Sequence, residues 1–377
     1  MVVRPSSAMA DALALVAPGQ PLRDGIERVL QANRGLLLVV GDGPDVLSIC
    51  TGGFLLDAEF SPQRLSELAK MDGAVILSPH ADRIARANVH LMPNATIPTI
   101  ETGTRHRTAE RVARSIDVPV VSVSAAMGLV TVYRRDTRHV LQDERRLHER
   151  VRQALQTTRR FRQRLDTTLS ALSALEIADT VTVRDVVAVL QPAELLDRIA
   201  DEVKVDLVEL GEDGRLLRLQ LEEVLDGIDP LRRIVVRDYV NTGRTPARQG
   251  HTRRDGQDGH HGVSNEECDR ALDVLAGLST DDLLDARRVS ASLGLGAGPA
   301  DPDAPVEPRG YRLLHRLPRF PEALVDRIVD HFAGLQRIMR TTVAELEEVE
   351  GVGEARARSV KEGLARLAEA SILDRYS

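Results

Sequence analysis

The pattern of apolar residues changes abruptly near Asp143, and this change constrains the fold more than any other feature. Before it, short runs of Val, Leu and Ile, such as Leu36–Val40 and Ala74–Leu77, alternate with helical patterns. Short apolar runs separated by amphipathic segments are typical of an α/β domain. Residues 143–175 contain no Gly and no Pro and are rich in Arg, Leu and Gln. This stretch predicts one long helix, so the chain is expected to join an α/β domain to an all-α region.

The α/β domain is predicted to occupy residues 1–149. Two further apolar runs, at 118–124 and 129–133, predict additional strands, and helical patterns cover 62–70 and 109–116. At 377 residues, the chain is long enough for two or three domains of ordinary size.

The all-α region is expected to continue as a helical linker or spine domain over residues 150–310. Its helical patterns at 181–189, 193–210 and 216–240 are followed by residues 241–265, which are rich in Gly, Arg, Asp and His and almost free of apolar side chains. Such a segment cannot contribute to a core, and a mobile loop is predicted. A second segment, 294–310, is a linker rich in Pro, Gly, Ala and Asp. Beyond it, residues 311–377 predict a compact helical domain.

Composition excludes several classes of protein. Aromatic residues make up 2% of the chain and Trp is absent, so aromatic stacking of bases is not expected. The net charge of −7 argues against a uniformly basic surface. The only cysteines, Cys50 and Cys268, are far apart in the sequence, which excludes a disulfide framework. With no signal peptide and no apolar run long enough for a membrane, a cytoplasmic protein is expected.

A carboxylate stands directly before one of the predicted strands. The sequence Met71-Asp72-Gly73-Ala74 leads into the apolar run at 74–77. Gly73 would let the backbone approach a ligand closely or adopt a positive φ. Asp72 would then lie at the mouth of the strand, where a carboxylate can hold a divalent cation such as Mg²⁺. Taken alone, the Asp-Gly pair fits an ordinary turn equally well.

The segment Thr102-Gly-Thr-Arg-His-Arg-Thr108 is the most unusual in the chain. Its basic side chains stand among hydroxyl groups, directly before the helical pattern at 109–116. The start of a helix presents free N–H groups and the positive end of the helix dipole. Together with the arginines, these groups predict an anion site suited to a triphosphate. The alternative is a helix capped by Thr104 or Thr108 with solvated arginines, although a cap alone does not require Arg-His-Arg.

These two motifs together resemble the paired signatures of the diadenylate cyclases. Asp72-Gly73-Ala74 is followed about thirty residues later by Arg105-His106-Arg107, and Gly52-Gly53-Phe54 upstream fits the same pattern. The resemblance implies a cyclase domain with a mixed central sheet that binds one ATP. In that family two such domains face one another, and each 3′-hydroxyl attacks the α-phosphate of the opposite ATP. The products are cyclic di-AMP and two pyrophosphates.

The resemblance also implies roles for the matching residues. Asp72 would bind Mg²⁺ or Mn²⁺ and help to activate the ribose hydroxyl, and Gly73 and Ala74 would allow the nucleotide to approach. Leu91 matches the strand that lines the adenine pocket, and Ser124 would lie close to the phosphates. The base stays open between Asp72 and bound water. The phosphates would be held by the basic run, that is by Thr104, Arg105, His106, Arg107 and Thr108, with His106 expected as a donor rather than as an acid or base.

The C-terminal domain carries a second recognisable pattern. Two helical patterns, at 343–350 and 354–367, are separated by Gly351-Val352-Gly353. This arrangement resembles the helix-hairpin-helix motif, in which backbone N–H groups contact DNA phosphates without reading sequence. The alternative is a simple pair of antiparallel helices. Residues 311–377 contain eleven Lys and Arg and eleven Asp and Glu, so weak, salt-sensitive binding is expected.

The order of cyclase domain, helical spine, linker and helix-hairpin-helix resembles the DNA-integrity-scanning members of the family. That resemblance implies a homo-octamer with face-to-face cyclase domains, association with the nucleoid, and slowing of the cyclase by branched or damaged DNA, in keeping with DNA repair. The alternatives are a non-catalytic DNA-binding nucleotide sensor and a structural DNA-binding protein whose first domain only oligomerises. The intact Asp72 and Arg105-His106-Arg107 argue against both.

Overall fold

The computed structural model describes residues 7–240, 265–296, 301–318 and 320–376, with side chains up to residue 370. The predicted mobile loop at 241–265 lies outside these residues except for Asn265. The chain divides into two compact units. The first comprises Met1–Gln156 and Ile199–Glu223, and the second comprises Thr157–Arg198 and Val224–Ser377.

The first unit is built on a mixed sheet. In chain order its strands are β1 (Leu36–Val40), β2 (Cys50–Thr51), β3 (Phe54–Glu59), β4 (Ala74–Leu77), β5 (Arg83–Leu91), β6 (Val120–Ser124), β7 (Leu129–Arg134) and β8 (Thr137–Val140). Their order across the sheet is β2-β5-β4-β1-β6-β7-β8, with β3 also paired to β5. The pair β1–β4 is parallel and the other pairs are antiparallel. The predicted mixed sheet is confirmed.

Helices cover both faces of this sheet. The helices that precede the long all-α region are α1 (Ser7–Leu15), α2 (Pro21–Gln31), α3 (Pro44–Ser48), α4 (Pro62–Leu68) and α5 (Thr104–Ser115). Side chains alternate along β1, because successive residues of a strand point to opposite faces. Leu36, Leu38 and Val40 pack with α1, α2 and α4, whereas Leu37 and Val39 pack with α5. Burial on both faces explains why this strand is apolar throughout.

The remaining helices form the predicted all-α region. They are α6 (Glu144–Ala178), α7 (Val183–Leu210), α8 (Arg215–Leu225), α9 (Ile228–Tyr239), α10 (Asn265–Gly277), α11 (Thr280–Leu284), α12 (Ala286–Leu293), α13 (Tyr311–His315), α14 (Glu322–Phe332), α15 (Leu335–Arg340), α16 (Val343–Glu347) and α17 (Glu354–Tyr376). The long helix predicted at 143–175 is α6, and the helical character of the linker region is confirmed. No helix of the described residues is both long enough and apolar enough to cross a membrane.

Element boundaries differ from the sequence-based expectation where polar residues begin a helix or glycine ends one. Helix α5 begins at Thr104, five residues before the predicted start at Ala109, because its first turn is polar and carries no apolar periodicity. The helical pattern at 216–240 is two helices, since Gly227 adopts φ +75° between them. Conversely, Pro192 lies inside α7 without ending it.

A buried carboxylate anchors the start of α13 within the second unit. Asp238 accepts hydrogen bonds from the backbone N–H groups of Gly310, Tyr311 and Arg312, each at 2.7 Å. The Arg312 side chain is buried and paired with Glu176 of α6. These bonds satisfy N–H groups at the helix start that have no intrahelical partner. The C-terminal helices thereby begin from a fixed point on the helical region.

Candidate functional site

The sheet register brings the sequence-predicted residues to one edge. Strands β1 and β4 are parallel and begin together, since Leu38 pairs with Val75. Strands β5 and β6 run the opposite way and end there, with Val89 paired to Ala74 and Val123 paired to Leu36. Antiparallel neighbours end where their partners begin. This edge therefore carries Asp72, Gly73, Ala74, Leu91 and Ser124, which the sequence spreads over more than fifty residues.

Helix α5 covers the same end of the sheet. Ala74 is buried in one apolar cluster with Ala109 and Val112 of this helix, and Leu91 packs against the same cluster. Val120 of β6 is also in that cluster, so by alternation Ser122 and Ser124 are on the α5 face. The start of α5 and the edge of the sheet thus enclose one polar region.

The Arg-His-Arg run forms the first turn of α5 rather than a loop before the helix. Gly103 precedes the helix with extended backbone angles, and no side chain caps it. The first intrahelical bond runs from Arg107 N–H to Gly103 C=O at 2.9 Å. The N–H groups of Thr104, Arg105 and His106 precede this bond and point out of the helix start. Neither Thr104 nor Thr108 acts as the cap that the alternative interpretation required.

Asp72 and Arg105 lie side by side at this edge. The Arg105 Nη2 and Asp72 Oδ1 atoms are 3.6 Å apart, with the Asp72 side chain fully exposed and that of Arg105 44% exposed. Arg105 also lies against the backbone of Gly35, where a Cβ atom would come within 2.5 Å of Nη1. An exposed pair at this distance contributes little stability. The carboxylate therefore remains available to a ligand.

Gly73 is required by the fold itself. A Cβ atom on Gly73 would lie 2.3 Å from the carbonyl carbon and 2.5 Å from the Cα atom of Asn88 on β5. The Gly73 N–H also donates to the Asn88 side-chain oxygen at 3.2 Å. The sequence suggested a close approach to a ligand or a positive φ, but the close approach here is to the neighbouring strand, and φ is not positive. This close contact of Gly73 with the backbone of β5 holds Asp72 at the edge of the sheet.

His106 is the most constrained residue of the first turn. Its Nδ1 is 2.8 Å from the hydroxyl oxygen of Tyr133, which donates to Glu101 Oε1 at 2.9 Å. Arg138 Nη1 also donates to Glu101 Oε1, at 2.6 Å. Nε2 of His106 is buried and has no hydrogen-bond partner within the described part of the chain. A polar atom in that state is costly unless a ligand or water satisfies it.

The environment of this hydrogen-bond chain keeps Tyr133 neutral and Glu101 ionised. Burial, followed by the nearby Glu101 carboxylate, raises the pKa of Tyr133 far above its ordinary value. Burial alone would raise the pKa of Glu101, but hydrogen bonds from Arg138 and Tyr133 outweigh it and hold this pKa below its ordinary value. Sequence reasoning missed Glu101, Tyr133 and Arg138 because they come from three separate segments.

The other predicted residues are placed less tightly. Thr104 and Arg107 are exposed at the start of α5, and Thr108 is half-buried one turn into it. Leu91 and Ser124 are half-buried at the ends of their strands. All belong to the same edge of the sheet, so the structure brings the whole predicted set into one region.

The Asp72 carboxylate suits a metal ion that is also bound by the phosphates of a ligand. In the described residues no group of three or more His, Cys, Asp and Glu side chains is arranged to hold a metal. Mg²⁺ is commonly bound by one or two carboxylates together with substrate phosphates and water rather than by an all-protein cage. The exposed Asp72 beside a predicted phosphate site fits that mode of binding, and Mn²⁺ prefers similar oxygen ligands.

Comparison with known proteins assigns the family. Residues 23–138 match the family model described as the DisA bacterial checkpoint controller nucleotide-binding region, and residues 141–300 match that of its linker region. The DNA integrity scanning protein DisA of Streptomyces coelicolor is 50% identical over 98% of this chain and 94% of its own length. The chain belongs to the DisA family. The DisA protein of Kineococcus radiotolerans is 48% identical over 99% of this chain and 98% of its own.

A solved structure has a distant likeness to part of this DisA-family chain. A DacA variant from Staphylococcus aureus covers 36% of the chain and 85% of its own at 20% identity, with a TM-score of 0.25.

Replacing Gly73 by alanine is expected to destabilise the first unit of this DisA-family protein. The added methyl group collides with the Asn88 backbone and cannot be relieved by a side-chain rotation, so we expect a loss of at least about 2 kcal/mol. Differential scanning calorimetry checks it, with Gly277→Ala as control because a Cβ atom there meets nothing within 4 Å. Equal melting temperatures for Gly73→Ala and the parent would contradict the close contact between Gly73 and Asn88.

Proposed function

We propose that this chain is a diadenylate cyclase that condenses two ATP molecules into cyclic di-AMP and two pyrophosphates. One observation carries the proposal: the Asp72 carboxylate and the basic first turn of α5 stand side by side on one edge of a DisA nucleotide-binding domain. The relatives are named DNA integrity scanning proteins, which connects the activity to DNA.

The triphosphate of ATP would bind at the start of α5. The free N–H groups of Thr104, Arg105 and His106 and the positive end of the helix dipole favour phosphate oxygens. Arg105 and Arg107 add charge-assisted hydrogen bonds, and the hydroxyls of Thr104 and Thr108 add neutral ones. Gly73, Ala74 and Leu91 would form the nucleoside side of the site, with Ser124 near the phosphates.

Asp72 would hold the Mg²⁺ or Mn²⁺ ion beside these phosphates. When bound, such an ion neutralises charge on the phosphate oxygens and lowers the pKa of a coordinated hydroxyl. The 3′-oxygen of one ATP forms a bond to the α-phosphorus of the other, and the bond from that phosphorus to the pyrophosphate oxygen breaks. The hydroxyl proton passes to Asp72 or to water. Positioning and charge neutralisation carry most of such a transfer.

A second copy of the chain would complete the reaction, since each site holds one ATP. Large apolar side chains are exposed near the same edge of the sheet and beside α5. They are Phe54 and Leu55 on β3, Met92 after β5, Ile100 before α5 and Met127 after β6, exposed by 56%, 73%, 66%, 80% and 62%. Apolar groups exposed around a site favour association. They support the proposal of face-to-face cyclase domains within a homo-octamer.

The C-terminal helices would bind DNA. Gly351 adopts φ +87° in the turn between α16 and α17, and Val352 is buried between the helices. A Cβ atom on Gly353, just before α17, would meet nothing within 4 Å, so a phosphate can approach the start of that helix. Contacts of this kind are independent of base sequence. We propose branched or damaged DNA as the partner and the nucleoid as the location.

The competing function is a DNA-binding nucleotide sensor that binds ATP without reaction. It requires that the carboxylate beside the phosphates be absent or engaged elsewhere. The Asp72 side chain is fully exposed, and its one ion pair among the described residues is the 3.6 Å contact to Arg105. That geometry favours the cyclase.

Asp72→Asn is expected to lower the rate of cyclic di-AMP formation from ATP with Mg²⁺ or Mn²⁺ by at least about a hundredfold, because the amide is a poor metal ligand. Chromatography of the products measures it. Asp24→Asn is the matched control, since Asp24 is an exposed carboxylate on α2, on the other face of the sheet. Full activity of Asp72→Asn would exclude the metal role, and an inactive parent protein would favour the sensor.

Gly353→Glu is expected to weaken binding to a four-way DNA junction by about tenfold or more at low salt. The new carboxylate would repel a phosphate at the start of α17, whereas an acidic residue at a helix start does not harm the helix. Gly334→Glu adds the same charge at another open position among the C-terminal helices. Fluorescence anisotropy compares the two. Equal affinities would contradict a DNA contact at the Gly351-Val352-Gly353 turn.

A further inference from the structure

The buried hydrogen-bond chain behind the first turn of α5 has a function of its own in the reaction. We infer that Tyr133 and Glu101 are positioning residues, which hold the imidazole of His106 with Nδ1 protonated and Nε2 directed to the triphosphate. This inference rests on the proposed cyclase activity and adds to it two residues that neither sequence motif contains.

Glu101, the last residue of this hydrogen-bond chain, determines which atoms donate and which accept. Glu101 is held as a carboxylate, so its Oε1 only accepts hydrogen bonds. The single proton of the Tyr133 hydroxyl is therefore donated to Glu101. The Tyr133 oxygen is left as an acceptor for His106, 2.8 Å away, and Nδ1 must carry the hydrogen. A phosphate oxygen without a hydrogen can only accept, so Nε2 would bind it as a donor.

The nitrogen without a partner lies near the start of α5, where we propose that the phosphates bind. The neighbouring ring atom Cδ2 would be 3.6 Å from a Cβ atom on Gly103, so this edge of the imidazole borders the start of α5. Gly103 has no side chain to occupy that space. Nε2 is enclosed and has no hydrogen-bond partner among the described residues, an unsatisfied state that a bound phosphate would relieve.

The arrangement favours the transition state in two ways. The ring orientation is fixed in advance by packing and by the hydrogen bond of Nδ1 to Tyr133, which Glu101 orients in turn, so no rotational freedom is lost when the phosphates react. The ionised Glu101 also keeps the Tyr133 hydroxyl as an acceptor for Nδ1, so that Nε2 rather than Nδ1 faces the phosphates as they react. An acid that orients a histidine through its other ring nitrogen has the same effect in serine hydrolases.

Tyr133→Phe is the decisive variant. It keeps the buried ring in the core and removes only the hydroxyl that joins His106 to Glu101. We expect kcat for cyclic di-AMP to fall about tenfold to a hundredfold, the size of effect known for groups that orient an active-site histidine. KM for ATP should change by less than about twofold, because phosphate binding still has the helix start and the arginines.

The matched control is Tyr239→Phe. Tyr239 is also buried and donates to a carboxylate, Glu176, but it belongs to α9 of the second unit. The Tyr239→Phe variant loses the same kind of hydroxyl-to-carboxylate hydrogen bond. It is expected to change the free energy of unfolding but not kcat. Glu101→Gln is a second variant, which keeps an acceptor for Tyr133 without the charge, and it should lose less activity than Tyr133→Phe.

A double substitution distinguishes positioning from stability. In the His106→Asn background, Tyr133→Phe should have no further effect on kcat, since it acts through the ring that is gone. Full kcat in Tyr133→Phe, or an equal loss with and without His106, would overturn the inference and leave the proposed function intact. No cyclic di-AMP from the parent protein would overturn the proposed function and, with it, this role for Tyr133 and Glu101.

Discussion

The parallel pairing of β1 with β4 determines where the functional side chains meet. Because both strands begin at one edge, Asp72 arrives directly beside the residues that precede β1, and the antiparallel neighbours β5 and β6 end at the same place. Helix α5 then crosses that end of the sheet with its polar first turn outermost. A one-residue change of register would turn Ala74 away from α5 and misplace Asp72.

Two kinds of constraint hold the site in position. The constraint at Gly73 is steric, because the backbone of β5 leaves no room for a side chain there. It fixes the position of Asp72 through the backbone. The constraint on His106 is polar and runs through Tyr133 and Glu101. The arginines, by contrast, remain partly or fully exposed. The residues held in place are those whose geometry affects the reaction, and the exposed arginines supply charge that attracts phosphate.

The sequence predicted those parts of the fold that depend on local apolar patterns. The strands β1 and β4 and the long helix α6 were found because runs of Val, Leu and Ile, or the absence of Gly and Pro, are visible within a few residues. The edge strands β2 and β3 are short or exposed, and β5 is interrupted by irregular pairing, so none has a clear pattern. The site motifs were recognised as a pair, but Glu101 and Tyr133 were missed because only the tertiary fold joins them to His106.

The most direct test of the account is a crystal structure of the protein with Mg²⁺ and 3′-deoxy-ATP, which lacks the attacking hydroxyl and cannot be condensed. The account predicts the triphosphate on the N–H groups of the first turn of α5, the metal between Asp72 and the phosphates, and His106 Nε2 within hydrogen-bond distance of a phosphate oxygen. A nucleotide bound with its phosphates away from α5, or a metal held without Asp72, would contradict it.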